Sequence, residues 1–114
     1  MGSRAIGIIT AFHYDYAHDS AANKTFVAAY NTEFKRNPDF FSVGGYDGMR
    51  VIYEALKKTG GATDAARLVD AAKGMSWESP RGKIAIDPAT RDIINIVYIN
   101  RVENVKDPVK ARMK

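Results

Sequence analysis

The stretch Ala5-Ile6-Gly7-Ile8-Ile9-Thr10-Ala11-Phe12 is apolar at both odd and even positions and rich in β-branched residues. A strand of a half-solvated antiparallel sheet alternates, whereas a strand with two apolar faces belongs inside a sheet covered by helices. The stretch therefore predicts an α/β protein. Outward from it, residues 13–20 form a polar, aromatic-rich loop, and Asp19 or Ser20 can accept hydrogen bonds from the free N–H groups of a following helix. That helix is expected to run to about Arg36. Phe26, Tyr30 and Phe34 recur in it at four-residue spacing beside Val27, which predicts one buried stripe. Asn37-Pro38 stops it.

Phe40 to Val43 is a short apolar stretch leading into Gly44-Gly45-Tyr46-Asp47-Gly48, read as a tight turn. Met49, Ile52, Tyr53 and Leu56 then mark a second amphipathic helix that ends at Gly60-Gly61. Thr63 or Asp64 caps a third, with Ala65, Leu68, Val69 and Ala72 on its inner face and Gly74 as its stop. Ser79-Pro80-Arg81-Gly82 and Asp87-Pro88-Ala89-Thr90 are turns preceding strands at Lys83–Ile86 and Ile93–Ile99. The expected order is β-α-α-α-β-β. So few strands cannot satisfy doubly apolar faces, so the sheet is expected to be completed by another chain or by further residues of the same protein. Alone, the chain is expected either to associate through its open sheet edges, including by exchange of strands between copies, or to stay loosely packed.

The 114 residues are enough for one domain, and 46% apolar content fits a globular chain. The formal charge of +4 does not come from one patch. Lys35, Arg36, Lys57 and Lys58 sit at helix C-termini, where they offset the helix dipole, and Lys106, Lys110, Arg112 and Lys114 sit in a basic segment, 104–114, expected to fray. No nucleic-acid partner is expected from this distribution. The absence of cysteine excludes disulfides, thiolate metal sites and a cysteine nucleophile. No run approaches the ~20 apolar residues of a membrane helix, and Met1-Gly2-Ser3-Arg4 lacks an apolar signal core.

His13, Asp15, His18 and Asp19 carry the residue types of a metal or acid–base site, but the histidines are five apart in a loop rather than one helical turn apart. Loop chemistry and helix capping account for all four. Gly44-Gly45-x-x-Gly48 suits an anion-binding turn only weakly, because the lysine and Ser/Thr of a phosphate loop are missing. Trp77 reads as a core residue, and no nucleophile elbow is present. Neither an enzyme, a metal nor a cofactor is expected.

In order, Gly7-Ile8-Ile9-Thr10, Asp19-Ser20-Ala21-Ala22-Asn23 with Phe26 and Tyr30, Gly45-Tyr46-Asp47-Gly48 with Ala55-Leu56 and Thr59-Gly60, Ser79-Pro80-Arg81-Gly82-Lys83-Ile84, and Arg91-Asp92 before a final strand resemble the C-terminal third of type I periplasmic solute-binding proteins. These are the branched-chain amino-acid-binding type that serves ABC importers. The resemblance covers Ala5 to about Val102 and implies a fragment of two Rossmann-like lobes that close on a solute. On that basis residues 1–16 are a strand of the second lobe and a hinge (Phe12, His13, Tyr14), 17–90 the helical part of the first lobe, and 91–103 the return strand. Val43, Gly44, Gly45, Tyr46 and Asp47 are the implied cleft residues, with Tyr46 as a stacking face and Asp47 as a charge partner. Residues that hold a ligand's carboxylate in the family lie in the N-terminal half. The resemblance further implies a periplasmic location, an ABC permease as partner, and amino acids or small carboxylates, aromatic ones included, as solute. A ligand-sensing domain of a receptor or regulator shares the architecture and is the alternative.

Overall fold

Ser20, Asp39 and Asp64 each accept the backbone N–H of the residue three positions on, and these caps set where the helices begin. The computed structural model describes residues 2–103. After a 3-10 turn at Gly2–Ala5, β1 spans Ile9–Phe12, α1 Ala21–Phe34, α2 Phe40–Lys58 and α3 Ala65–Ala72. Then come β2 (Ser76–Ser79), β3 (Gly82–Ile86), β4 (Ile93–Ile94) and β5 (Tyr98–Arg101). The expected α/β class holds, but the described residues form five strands rather than three. The basic segment 104–114 lies outside the described residues.

The first difference lies at α2. Instead of a glycine turn followed by a helix from Met49, the helix starts at Phe40 and runs through Gly44, Gly45 and Gly48. Asp39 and Ser42 form a reciprocal capping box, each side chain bonded to the other's backbone N–H. Interior glycines cost about 1 kcal/mol each relative to alanine. That cost is offset on the inner face, where Val43, Asp47, Val51 and Ala55 follow one another at four-residue spacing. Val43, Asp47 and Ala55 are buried, and Val51 packs on the core cluster of Met75, Trp77 and Ile84. The apolar row expected to face inward, Met49, Ile52 and Tyr53, is exposed instead. Periodicity marked α2 as amphipathic, but two apolar rows compete on it, and the hairpin decides which one is covered.

The second difference lies in the strands. β2 and β3 form a tight hairpin with Ser79 opposite Gly82, and β4 adds Ile93 and Ile94 opposite Ile86 and Ala85. The run Ile93–Ile99 is thus not one strand. It leaves this sheet after Ile94 and joins β1 as β5, with Phe12 opposite Tyr98 and Ile9 opposite Arg101. β1 is also shorter than read, because Gly7 takes a φ of +89 and bends the chain before it. The ribbon of β1 and β5 is not covered by helices among the described residues: Ile9 is 55% and Ile99 62% exposed.

The aromatic stripe of α1 stacks as the spacing predicts, with ring centroids 5.9 Å apart for Phe26 and Tyr30 and 4.5 Å for Tyr30 and Phe34. Its burial is partial, since Phe34 stays exposed. Trp77 takes the core position expected of it.

Candidate functional site

The hairpin turn meets the inner face of α2, and Phe12 and His13 meet its first residue, Phe40. Asp47 projects from α2 into the seam with the hairpin. Its Oδ1 accepts the indole N–H of Trp77 at 3.2 Å, and its Oδ2 accepts Ser79 Oγ at 2.9 Å and Arg81 Nε at 2.8 Å. The ion pair is enclosed: the side chains of Arg81 and Asp47 are 11% and 5% exposed. A carboxylate this deep needs several donors to offset lost hydration, and here three side chains supply them. Ser79, Pro80, Arg81 and Gly82 form the turn, whose last residue has φ +98. Tyr98 Oη donates to the Arg81 carbonyl at 2.9 Å, and a Cβ on Gly82 would sit 2.6 Å from that same Oη. Glycine is therefore required there by conformation and by space. The contact joins the β1–β5 ribbon to the hairpin.

The expected hinge residues lie against the start of α2. Phe12 and His13 have ring centroids 4.8 Å apart, and Phe40 meets Phe12 edge-on at 5.1 Å. Burial, and then the charge of Arg81, hold His13 below its ordinary pKa, so its imidazole is the neutral form at physiological pH. Tyr14 is buried and donates to Asn23 Oδ1 at 3.0 Å. Burial, with the charges of Asp15 and Asp39, raises its phenol pKa further. Asn23 Nδ2 in turn donates to the carbonyls of Tyr16 and His18 at 2.8 and 2.9 Å. Residues 14–18 are thus tied to the first turn of α1 by one asparagine. The sequence reading missed this residue as a determinant, although a polar side chain three positions past the cap was its only visible signal.

His13, Asp15, His18 and Asp19 do not converge. His13 packs on Phe12 and Phe40, the ring of His18 lies 5.1 Å from Tyr98, Asp15 closes a local turn onto Ala17 N, and Asp19 pairs with Lys24 at the surface. The five implied cleft residues occupy consecutive positions of a helix rather than a loop, and so diverge. Val43 and Asp47 face inward, Gly44 and Gly45 are exposed, and the Tyr46 ring lies 4.9 Å from Phe26 with 44% of the residue exposed. Gly45 and Tyr46 also border a groove of about 870 Å³ with Met49, Arg50 and Tyr53. Asp47 accepts from three side chains of the hairpin and so ties α2 to it. Trp77, Ser79 and Arg81 as its partners were not legible in the sequence, because they lie some thirty positions away.

Residues 1–107 match the family model described as periplasmic binding protein. The Leu/Ile/Val-binding protein homolog 6 of Brucella abortus (strain 2308) is 46% identical over 110 residues, which cover 94% of this chain and 28% of that protein. A solute-binding protein of an ABC transporter from Rhodopseudomonas palustris BisB5, solved in complex with 3,4-dihydroxybenzoic acid, superposes with a TM-score of 0.88 at 57% identity over 93% of this chain and 29% of its own. Another, from Rhodopseudomonas palustris HaA2 in complex with p-hydroxybenzoic acid, gives a TM-score of 0.86 at 40% identity over 92% and 29%. The chain thus spans less than a third of the length of these relatives. They are solute-binding proteins rather than enzymes, and the open faces of the ribbon and of α2 fit a piece of that larger fold. The chain belongs to the periplasmic binding protein family.

Proposed function

We propose that the protein containing this chain is the periplasmic solute-binding component of an ABC importer, and that its solute is a hydroxylated aromatic carboxylate. The observation that carries this reading is the 57% identity and TM-score of 0.88 to a protein solved with 3,4-dihydroxybenzoic acid. Aromatic side chains gathered at the start of α2, Phe12, His13 and Phe40, are in keeping with such a solute. In this reading β1 and β5 belong to the second lobe, α1 to α3 with the hairpin belong to the first, and Phe12, His13 and Tyr14 make the crossing between them. The antiparallel pairing of β1 with β5 supports that division. Val43, Gly44, Gly45, Tyr46 and Asp47 form the α2 segment next to the cleft: Tyr46 presents its ring, and Asp47 fixes the helix against the hairpin. Closed lobes then present the loaded protein to a permease at the membrane surface.

Calorimetric titration of the full-length protein tests the reading. Saturable binding of 3,4-dihydroxybenzoate and 4-hydroxybenzoate, with leucine bound far more weakly, is the expected result. Binding of leucine with no response to either hydroxybenzoate would sink it.

A further inference from the structure

Among the cations that form ion pairs in the described residues, Arg81 stands apart. Lys24 and Lys57 leave 71% of their side chains in water and Lys73 39%, whereas Arg81 leaves 11%. A guanidinium carries five N–H donors in a rigid fork. Only Nε is used, by Asp47 Oδ2, and neither Nη group has a hydrogen-bond partner among the described residues. The usual two-pronged pair with one carboxylate is not made: Asp47 Oδ1 accepts from Trp77, and Oδ2 is shared between Ser79 and Arg81 Nε. Neither Nη nitrogen is among the fully buried, unpartnered polar atoms of the described residues, so the fork keeps access to solvent and is open to a ligand.

The surroundings of that fork are specific. The Arg81 backbone is pinned at both sides, its N–H to Ser79 Oγ at 3.3 Å and its carbonyl to Tyr98 Oη at 2.9 Å. Phe12 is the cross-strand partner of that same Tyr98, and its ring packs with His13 and Phe40, so the aromatic cluster and the Arg81 turn are joined through Tyr98. A fixed planar donor pair beside an aromatic cluster has the chemistry to receive an aromatic carboxylate, with the ring against the cluster and the acid on the fork.

We propose that Arg81 is a carboxylate-binding residue of the solute site, receiving the acid group on its two Nη donors while Phe12, His13 and Phe40 border the aromatic ring. The inference rests on the solute being an aromatic carboxylate, as proposed above. It departs from what the resemblance alone implies, which puts the carboxylate's partners in the N-terminal half and so expects no acid-specific loss when Arg81 is changed.

The test compares 4-hydroxybenzoate with its neutral amide, 4-hydroxybenzamide, on the full-length protein and on Arg81→Gln and Arg81→Lys. Loss of charge-assisted hydrogen bonds corresponds to about tenfold to a hundredfold weaker binding. Arg81→Gln is expected to weaken the acid by that factor and the amide by less than about threefold, collapsing the preference. Arg81→Lys, which keeps the charge but not the fork, falls in between. Should Arg81→Gln fail to fold by circular dichroism, a partial loss of preference in Arg81→Lys carries the test, and an unchanged preference overturns the proposal. Equal weakening of acid and amide, or none, assigns Arg81 a structural role only and overturns it while leaving the solute class intact. If the wild-type protein binds no aromatic acid, the proposed function fails and this inference with it.

Discussion

The seam between α2 and the hairpin and the ribbon of β1 and β5 are built on opposite principles. The seam buries a charge and satisfies it internally, with Asp47, Trp77, Ser79 and Arg81 closing on one another within the chain. The ribbon is the more apolar of the two by sequence, yet Ile9 and Ile99 are more than half exposed, and Ile8 and Val102 beside them are exposed too. Apolar composition therefore does not by itself locate the core of this chain. The core sits where a second element is available to cover a face, and the ribbon has none among the described residues.

The strongest way to break this contrast is at Asp47. Asp47→Ala removes the acceptor of three donors and leaves Arg81 enclosed without a counter-charge, which costs about 3–5 kcal/mol. Urea unfolding followed by tryptophan fluorescence is expected to show that loss, and a change below about 1 kcal/mol would mean the clasp is not the anchor of the seam. The ribbon gives a smaller and conditional effect. In this chain Ile99→Ala is expected to change stability by less than about 1 kcal/mol, because little of the side chain is buried, but in the full-length protein by about 2–4 kcal/mol. Equal values in the two contexts would show that nothing else in the protein covers the ribbon.

The smallest effect concerns the junction of the two regions. Since His13 titrates below its ordinary 6.5 in the folded chain, the unfolded chain takes up a proton that the folded one does not as pH falls through that value. Its contribution is fully present above pH 6.5 and is lost progressively below. The urea midpoint is expected to drop on acidification from about pH 7 to about pH 5, and His13→Asn to remove part of that drop. A variant with the same acid dependence as the parent would show that neither burial nor the charge of Arg81 depresses the His13 imidazole.

Local rules were legible in the sequence because their causes are local. Ser20 and Asp64 cap where short polar side chains precede an apolar run, Gly74 ends its helix with φ +69, and Ser79 to Gly82 turn. The α/β class and the expectation of a larger fold followed from apolar runs that so few elements cannot cover. Three other features depend on distant partners. The inner row of α2 is chosen by Trp77 and Ile84, the split of Ile93–Ile99 by the competing partners β3 and β1, and the role of Asp47 by donors from the hairpin. A side chain's hydrogen-bonding capacity is written in its identity, but which groups satisfy it is a matter of three-dimensional proximity. Only the folded chain could therefore turn the expected charge partner into a clasp and leave Arg81 with an unused fork.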